Sequence, residues 1–387
     1  MMGKLDRIKN LIIGLRDLTI IGSTNIVVTL ISGVFWFFIA TLLGTEQFGK
    51  VSYFIAIATI SYTISFLGSG YTVIVYTAKE QKIQSAVYFL ALIFSVITAV
   101  AVFFIFYNIG VSLYVIGAVV FGLSVSEHLG RKLYKDFSKY VITQRILMVC
   151  LSFGLYFVIG WEGIILGFAL SYFPYSVRII KGFRESKIDM SSIKTRLRFI
   201  MNSYATDLTN ALSTSLDKLI IFPLFGFALL GNYQLGMQFL LVLSVLPQTV
   251  YQYVLPKDAS GIQNKKLKKA TIFISIVFAI LGILLMPLVI QHLFPQFDES
   301  IKIIQIMSLG IIPISINSMY NSKFFGIEKS KNVLIGSIIS LSIQILGIFI
   351  LGSIYGINGA AMALVLGASL QTIYLLCMSR TIQAKNN

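Results

Sequence analysis

The sequence predicts an all-α, polytopic membrane protein with about twelve transmembrane helices in two six-helix bundles. Three observations carry this prediction: the composition, the spacing of the apolar runs and the distribution of basic residues. Of the 387 residues, 57% are hydrophobic and 12% are charged, and the mean hydropathy is +0.86. Soluble globular domains carry about 25% charged residues, so most of this protein's surface must face lipid.

Twelve apolar runs approach or exceed the roughly 20 residues that cross a bilayer as a helix. A basic stretch separates the first six runs from the last six. The runs lie at about 18–43, 50–74, 84–107, 111–129, 141–160, 163–180, 200–225, 230–255, 270–292, 302–324, 332–354 and 357–379. The sequence therefore predicts an N-terminal six-helix bundle over 1–180, a cytoplasmic basic linker over 181–199 and a C-terminal six-helix bundle over 200–387.

The basic residues predict the orientation of these spans. Of the 31 Lys and Arg residues, 27 fall in segments on one side of the predicted membrane, two in loops on the other side and two inside spans. Cytoplasmic loops of membrane proteins carry such an excess, which predicts a cytoplasmic membrane protein with Met1 and Asn387 both inside. The net charge of +16 then reflects topology and contact with anionic membrane lipids, and we expect no nucleic-acid partner.

The sequence lacks the patterns of the common catalytic and metal centres. Cys150 and Cys377 lie inside apolar runs, and His128 and His292 lie at span ends. No His-Glu-x-x-His, Gly-x-Ser-x-Gly or Walker motif occurs, although each would be needed for its chemistry. We therefore expect a protein that is not an enzyme and that uses no cofactor, no metal and no direct ATP drive.

The two halves share an internal repeat. The segment LLGTEQFGKVSY, which contains Gly44, matches LFGFALLGNYQL, which contains Gly226, at an offset of 182 residues. A second match pairs residues 161–164 with 354–357 at an offset of 193. Because each half has an even number of spans, the halves share an orientation, and a pseudo-two-fold axis along the membrane normal is expected. This arrangement is typical of transporters with alternating access; alternatively, the glycines only mark helix ends.

Three segments resemble a known family. They are FIATLLGTEQFGKVSYFIAIATI at 38–60, STSLDKLIIFPLFGFALLGNYQLGMQF at 213–239 and YGINGAAMA at 355–363. They resemble polysaccharide and oligosaccharide-lipid flippases, including O-antigen flippases, of the multidrug, oligosaccharidyl-lipid and polysaccharide exporter superfamily. The resemblance departs at Thr41, where the family often has Arg, and at Lys218, which replaces the Arg of an Asp-Arg pair.

The resemblance implies a flippase that moves a polyprenyl-pyrophosphate-linked oligosaccharide across the cytoplasmic membrane by alternating access. It also implies association with glycan polymerase machinery. An alternative on the same fold is an ion-coupled multidrug or small-molecule exporter, in which Asp207 and Asp217 carry H⁺ or Na⁺. A membrane glycan polymerase or acyltransferase is a further alternative, but it requires clamping groups or an intramembrane histidine that the sequence does not show.

Polar side chains inside the predicted spans are the candidate substrate-binding residues. A charge at mid-membrane costs at least about 2.5–3.5 kcal/mol, so such groups should face a hydrated interior. Hydrogen bonding between helices is the alternative role for the uncharged ones. The candidates are Asn25, Thr29, Ser32, Tyr62, Arg145, Asp207, Asn210, Thr214, Asp217, Lys218, Gln234, Gln238 and Gln248.

Two of the basic candidates allow two roles each. Arg145 and Glu127 are both predicted about one turn from the inner ends of their spans, so they form either an ion pair or, through Arg145, a contact for a pyrophosphate. Lys218 either binds that phosphate before its release or is neutralised by Asp217.

Overall fold

A computed structural model describes residues 4–185, 188–259, 264–327 and 329–386 of the chain. The described residues form helices and short connections, without a β-strand among them, which confirms the all-α prediction. Met1 and Asn387, which we predict to be cytoplasmic, lie outside the described residues.

Thirteen α-helices follow one another in the described chain. They are α1 (Lys4–Phe66), α2 (Ser69–Ala78), α3 (Gln84–Phe106), α4 (Ile109–Gly130), α5 (Tyr134–Ile159), α6 (Trp161–Tyr172), α7 (Ser176–Glu185), α8 (Ser191–Lys194), α9 (Leu197–Ala259), α10 (Lys265–Leu293), α11 (Ser300–Gly326), α12 (Ser330–Tyr355) and α13 (Ile357–Asn386). Ten helical segments of the described chain are long and apolar enough to cross a membrane.

The two longest segments, within α1 and α9, each contain a break at a glycine. Gly44 has φ 69° and ψ 179°, and Gly226 has φ 82° and ψ 175°, a conformation that glycine adopts without the steric cost of a Cβ. Trp36 and Phe48 would be about 18 Å apart along one straight helix, yet their ring centroids lie 6.0 Å apart. The chain therefore reverses at Gly44.

The same reversal occurs at Gly226. Tyr233 donates a hydrogen bond of 3.1 Å to Asp217, although a straight helix would separate the two residues by about 24 Å. The two long helices are thus helical hairpins. Ten span-length segments, two of which are hairpins, give twelve crossings, which confirms the predicted number of spans.

The two hairpins contact each other through reciprocal glycines. A Cβ on Gly49 would lie 1.9 Å from the carbonyl oxygen of Phe227, and one on Gly231 would lie 2.0 Å from the carbonyl oxygen of Thr45. Residues 49 and 231, and likewise 45 and 227, are 182 positions apart, so the first match of the sequence repeat is confirmed here. The backbones touch because neither glycine carries a side chain.

The second match of the repeat is wrong by three residues. Gly160 and Gly356 both have positive φ, and α6 and α13 begin at the residue after each of them. A Cβ on Gly163 or on Gly359 would lie 2.3 or 2.0 Å from a carbonyl oxygen of the preceding helix. The structural offset is therefore 196, not 193. The sequence match failed because it aligned a glycine of close approach with a glycine of the turn.

The chain forms two compact units. Unit 1 contains the residues up to 35 together with 54–216, and unit 2 contains 36–53 together with the residues from 217 onward. In unit 1, α4 packs against α3, α5 and α6; in unit 2, α11 packs against α10 and α13. The division into bundles at residues 180 and 200 stays a prediction.

Each unit has its own apolar core, and large apolar side chains also cover its surface. Tyr88 and Leu123 are fully buried in unit 1, as are Tyr233 and Ile303 in unit 2. Helix surfaces such as that of α10 expose leucine, isoleucine and phenylalanine side chains. Exposed apolar surface on this scale is expected where the solvent is lipid.

Candidate functional site

A buried carboxylate organises the end of α4 in unit 1. Glu127 is fully buried and accepts hydrogen bonds from the Tyr88 hydroxyl at 2.7 Å, Arg178 Nε at 2.8 Å and Arg131 Nε at 2.9 Å. Glu185 accepts from Arg178 Nη1 at 3.0 Å and also pairs with Arg131. These two acids and two bases neutralise one another, so this cluster joins α3, α4 and α7.

Arg145 takes no part in this cluster, and the predicted Glu127–Arg145 pair is wrong. Arg145 lies eleven residues into α5, about 17 Å along the helix, whereas Glu127 lies three residues, about 5 Å, from the end of α4. The prediction failed because α5 begins at Tyr134, seven residues before the apolar run. The two side chains are therefore at different depths.

The guanidinium of Arg145 has no carboxylate partner among the described residues. Its Nη1 lies 3.5 Å from the Met148 sulfur, and its Nε is buried with no hydrogen-bond partner in the part of the chain that the structure describes. Tyr172 lies within electrostatic range of Arg145. A buried guanidinium nitrogen with its donor capacity unused can bind an anionic ligand.

Unit 1 contains a cluster of three tyrosines, one of which, Tyr172, lies within electrostatic range of Arg145. Tyr172 lies within electrostatic range of Tyr114, and their rings meet edge to face with centroids 5.4 Å apart. Tyr62 lies within electrostatic range of both. We call Tyr62, Tyr114 and Tyr172 the tyrosine cluster. It combines aromatic faces with hydroxyl groups.

Asp207 of α9 brings an acidic group near the same cluster. Its carboxylate is half-buried, lies within electrostatic range of Tyr62 and makes no ion pair within the described chain. Asn210 and Thr214 follow along α9, and both are exposed. The structure thus places Arg145 and Asp207 in the same unit as the tyrosine cluster, to which Tyr62 belongs.

The α1 candidates of unit 1 lie on a more open surface. Asn25 and Thr29 are exposed, and Ser32 is half-buried. The Thr29 hydroxyl donates to the Asn25 carbonyl oxygen at 2.7 Å. Their predicted role in lining a cavity stays a prediction.

In unit 2, Lys218 is paired with its neighbour. Lys218 Nζ lies 3.1 Å from Asp217 Oδ1, and the Lys218 amide donates to the same oxygen at 2.8 Å. The Tyr233 hydroxyl donates to Asp217 Oδ2 at 3.1 Å, and Gln344 lies near the Tyr233 hydroxyl. Both charged side chains are buried. This geometry supports neutralisation of Lys218 by Asp217.

The glutamine candidates of unit 2 differ in their environments. Gln234 and Gln238 are buried, while Gln248 is exposed. The Gln234 carbonyl oxygen is buried without a hydrogen-bond partner in the described chain. Within the same described ranges, no group of three or more His, Cys, Asp or Glu side chains could hold a metal ion.

Sequence reasoning missed two members of the tyrosine cluster. Tyr114 and Tyr172 stand in apolar runs on α4 and α6, 58 residues apart. A tyrosine in such a run has the same pattern as an apolar core residue. Their pairing follows from the packing of α4 against α6, which no sequence spacing indicates.

The fold is that of transporters of the multidrug, oligosaccharidyl-lipid and polysaccharide (MOP) superfamily. The lipid II flippase MurJ, in an inward closed conformation, matches with a TM-score of 0.74 at 17% identity, over 91% of this chain and 86% of that chain. A multidrug resistance MATE family transporter, facing inward, matches with a TM-score of 0.68 at 16% identity, over 92% and 95% of the two chains. A MOP superfamily transporter from Pyrococcus furiosus matches with a TM-score of 0.60 at 16% identity, over 95% and 94%.

The sequence establishes the family. Residues 38–294 match the polysaccharide biosynthesis protein family, and the chain belongs to that family. No curated protein sequence matches the chain significantly. The protein is therefore a multi-pass membrane protein of polysaccharide biosynthesis with a MOP-type transporter fold.

Proposed function

We propose that this protein is a flippase that moves a polyprenyl-pyrophosphate-linked oligosaccharide from the inner to the outer leaflet of the cytoplasmic membrane. The product would serve the synthesis of a cell-surface polysaccharide such as O-antigen. The observation that carries the proposal is Arg145, a cationic side chain inside unit 1 with no carboxylate partner among the described residues and with Tyr172 within electrostatic range.

Arg145 suits the anionic part of such a substrate. An unpaired charge inside a membrane protein is costly, and the cost falls when an opposite charge arrives. A guanidinium presents its donors in a planar fork that matches two phosphate oxygens. The buried Nε of Arg145 supplies one unused donor of this kind.

The tyrosine cluster suits the sugar part. Sugars combine apolar ring faces with many hydroxyl groups, and tyrosine offers an aromatic face and a polar tip on one side chain. Asn210 and Thr214, exposed on α9, add hydrogen-bonding groups to the same unit. A site for a purely lipophilic cation would need fewer hydrogen-bonding groups.

The physics of the bilayer makes a protein path necessary. The lipid tail can stay in hydrocarbon, but the sugar and its doubly anionic linker cannot cross about 30 Å of it unaided. The structural relative MurJ is a lipid II flippase, which supports a lipid-borne substrate. We infer alternating access, with both termini cytoplasmic, H⁺ or Na⁺ as a coupling ion and a glycan polymerase as a downstream partner.

Deletion of the protein in its native host tests the proposal. Lipid-linked oligosaccharide should accumulate on the inner leaflet with an unchanged glycan structure, and Arg145→Gln should fail to complement the deletion. A glycan that is shorter or lacks a substituent would instead indicate an enzyme that builds the glycan.

Asp207 favours a second candidate, an ion-coupled exporter of small molecules. A half-buried carboxylate without an ion pair in the described chain can bind and release H⁺ or Na⁺. Proteoliposomes distinguish the two candidates. An exporter should move a lipophilic cation when an imposed ion gradient drives it, and Asp207→Asn should abolish this activity. A flippase should instead move the lipid-linked glycan and leave the cation in place.

A further inference from the structure

A lysine-lined cavity lies at the beginning of α10 in unit 2, away from Arg145 and the tyrosine cluster. Its volume is about 230 Å³, and Lys265, Lys268, Lys269 and Lys323 line it together with Tyr320. Lys268 and Lys269 follow Lys265 by three and four residues and so lie on the same face of α10, and Lys323 comes from α11. Two helices thus direct four cationic side chains at one space.

The positive charge of this cavity is only partly compensated. Lys268 forms an ion pair with Asp258, which also accepts a hydrogen bond of 2.5 Å from Ser322. The other three lysines of the cavity form no ion pair with a carboxylate in the part of the chain that the structure describes. Lys265 and Lys268 repel the charge of Lys323. Such like-charge crowding is unfavourable unless an anion occupies the space.

The surroundings of the cavity fit a lipid better than a soluble anion. Phe273 lies one turn beyond Lys269 on α10, and 66% of its surface is exposed. The Lys323 ammonium lies over the Tyr320 ring, 5.9 Å from the ring centroid. The lysines therefore border an apolar helix face of the kind that acyl chains cover, and by the distribution of basic residues they lie on the cytoplasmic side.

We propose that this cavity binds the phosphate headgroup of an anionic membrane lipid of the inner leaflet. The ammonium groups of Lys265, Lys269 and Lys323 bind the phosphate oxygens, and the acyl chains lie along α10 beside Phe273. The site is separate from the proposed substrate site, and its existence does not depend on which molecule the protein transports.

Native mass spectrometry of the purified full chain tests this site with dioleoyl-phosphatidylglycerol as the probe and dioleoyl-phosphatidylcholine as the uncharged comparison. The variant Lys265→Gln/Lys269→Gln/Lys323→Gln should lower phosphatidylglycerol binding by about tenfold or more, and it should leave phosphatidylcholine binding unchanged. The matched control is Lys132→Gln/Lys135→Gln/Lys139→Gln, which removes three exposed lysines near the inner end of unit 1. It should change binding less than about twofold.

The outcomes separate a built site from its alternatives. Equal losses in the two triple variants would show diffuse attraction to basic surface and overturn the proposal. Displacement of the lipid by excess inorganic phosphate would identify a free-anion site and overturn the lipid assignment. Because the side chains of Lys265 and Lys269 are exposed, the double variant Lys265→Gln/Lys269→Gln, which keeps Lys323, should fold normally. An unchanged preference of this variant for phosphatidylglycerol would also overturn the proposal.

Discussion

Gly49 and Gly231, 182 residues apart in the chain, form a reciprocal backbone contact between the two hairpins. Each glycine meets a carbonyl oxygen of the other hairpin, that of Phe227 for Gly49 and that of Thr45 for Gly231. Such reciprocity is expected of two hairpins related by a local two-fold axis. The hairpins touch here through bare backbone, on the side that the sequence predicts to be outer, so only their separation would open a space at this contact.

Gly49→Ala should therefore impair transport. The added Cβ would lie 1.9 Å from the Phe227 carbonyl oxygen, so the hairpins must move apart, although alanine favours a helix by up to about 1 kcal/mol over glycine. We expect surface glycan to fall by about tenfold, and Gly49→Ala/Gly231→Ala should cost less than the sum of the single changes, because both break one contact.

Gly33→Ala is the control for this prediction. Its Cβ would meet no heavy atom within 4 Å, so transport and abundance should both stay normal. Normal transport in Gly49→Ala would show that the hairpin contact is not part of the transport cycle.

Arg145 and Arg178 should respond differently to the same substitution. Arg178→Gln leaves the buried Glu127 short of a partner, so we expect a loss of about 3–5 kcal/mol of stability and low membrane abundance. Arg145→Gln leaves no carboxylate unpaired, so abundance should stay near normal while transport falls. Arg145→Lys should retain part of the transport, because the charge remains but the planar fork is lost.

Immunoblots of membranes and display of surface glycan, measured on the same cells, check this prediction. If Arg145→Gln lowered abundance as much as Arg178→Gln, Arg145 would be a structural residue and not a substrate contact.

Lys218→Gln should lower abundance, because it leaves the buried Asp217 uncompensated at a cost of about 3–5 kcal/mol. Asp217→Asn/Lys218→Gln should recover much of this loss, and Lys218→Arg should stay near normal. Thermal unfolding of the purified variants measures the effect. An abundant Lys218→Gln protein that does not transport would instead assign Lys218 to binding of the substrate anion.

The orientation can be tested with reporters. A reporter that is active only in the cytoplasm should be active when inserted within residues 188–194 and silent when fused at Glu162, because basic residues concentrate on the predicted inner side. A periplasmic or extracellular reporter should give the opposite pattern. The reverse of both patterns would invert the assignment of inner and outer loops.

Cysteine labelling tests whether α9 faces water. Cys150 and Cys377 are exposed and would first be replaced by Ser. Single cysteines at positions 210 and 214 should then react with a water-soluble maleimide. The control Leu284→Cys should not react, because Leu284, which is 65% exposed, lies on an apolar helix face. Unreactive cysteines at 207, 210 and 214 in functional protein would place this face of α9 away from a hydrated cavity.

The sequence predicts features that depend on neighbouring residues better than those that depend on packing. The sequence alone identifies the hairpin glycines Gly44 and Gly226, because they repeat at a fixed offset. It also identifies the Asp217–Lys218 pair, because the two residues are adjacent. Arg178, the second basic partner of Glu127, could not be predicted, because it follows Glu127 by 51 residues on another helix.

The apolar pattern also misplaces helix ends. Our expectation started the fifth span at residue 141, but α5 begins at Tyr134, because Lys135 and Lys139 are exposed and can be solvated in the headgroup region while the backbone is already helical. Arg145 therefore lies about two turns farther from the start of its helix than predicted, which separates it from Glu127 near the end of α4.

The two buried acids also differ in when they can be neutralised during biosynthesis. Asp217 accepts hydrogen bonds from the amide and the ammonium of the next residue, so its charge is compensated as soon as that turn of the helix leaves the ribosome. Glu127 has Arg131 at the residue that follows its own helix but needs Arg178 from α7. The fourth span must therefore enter the bilayer with its acid only partly compensated, and it acquires its final partner after the translocon has released the sixth.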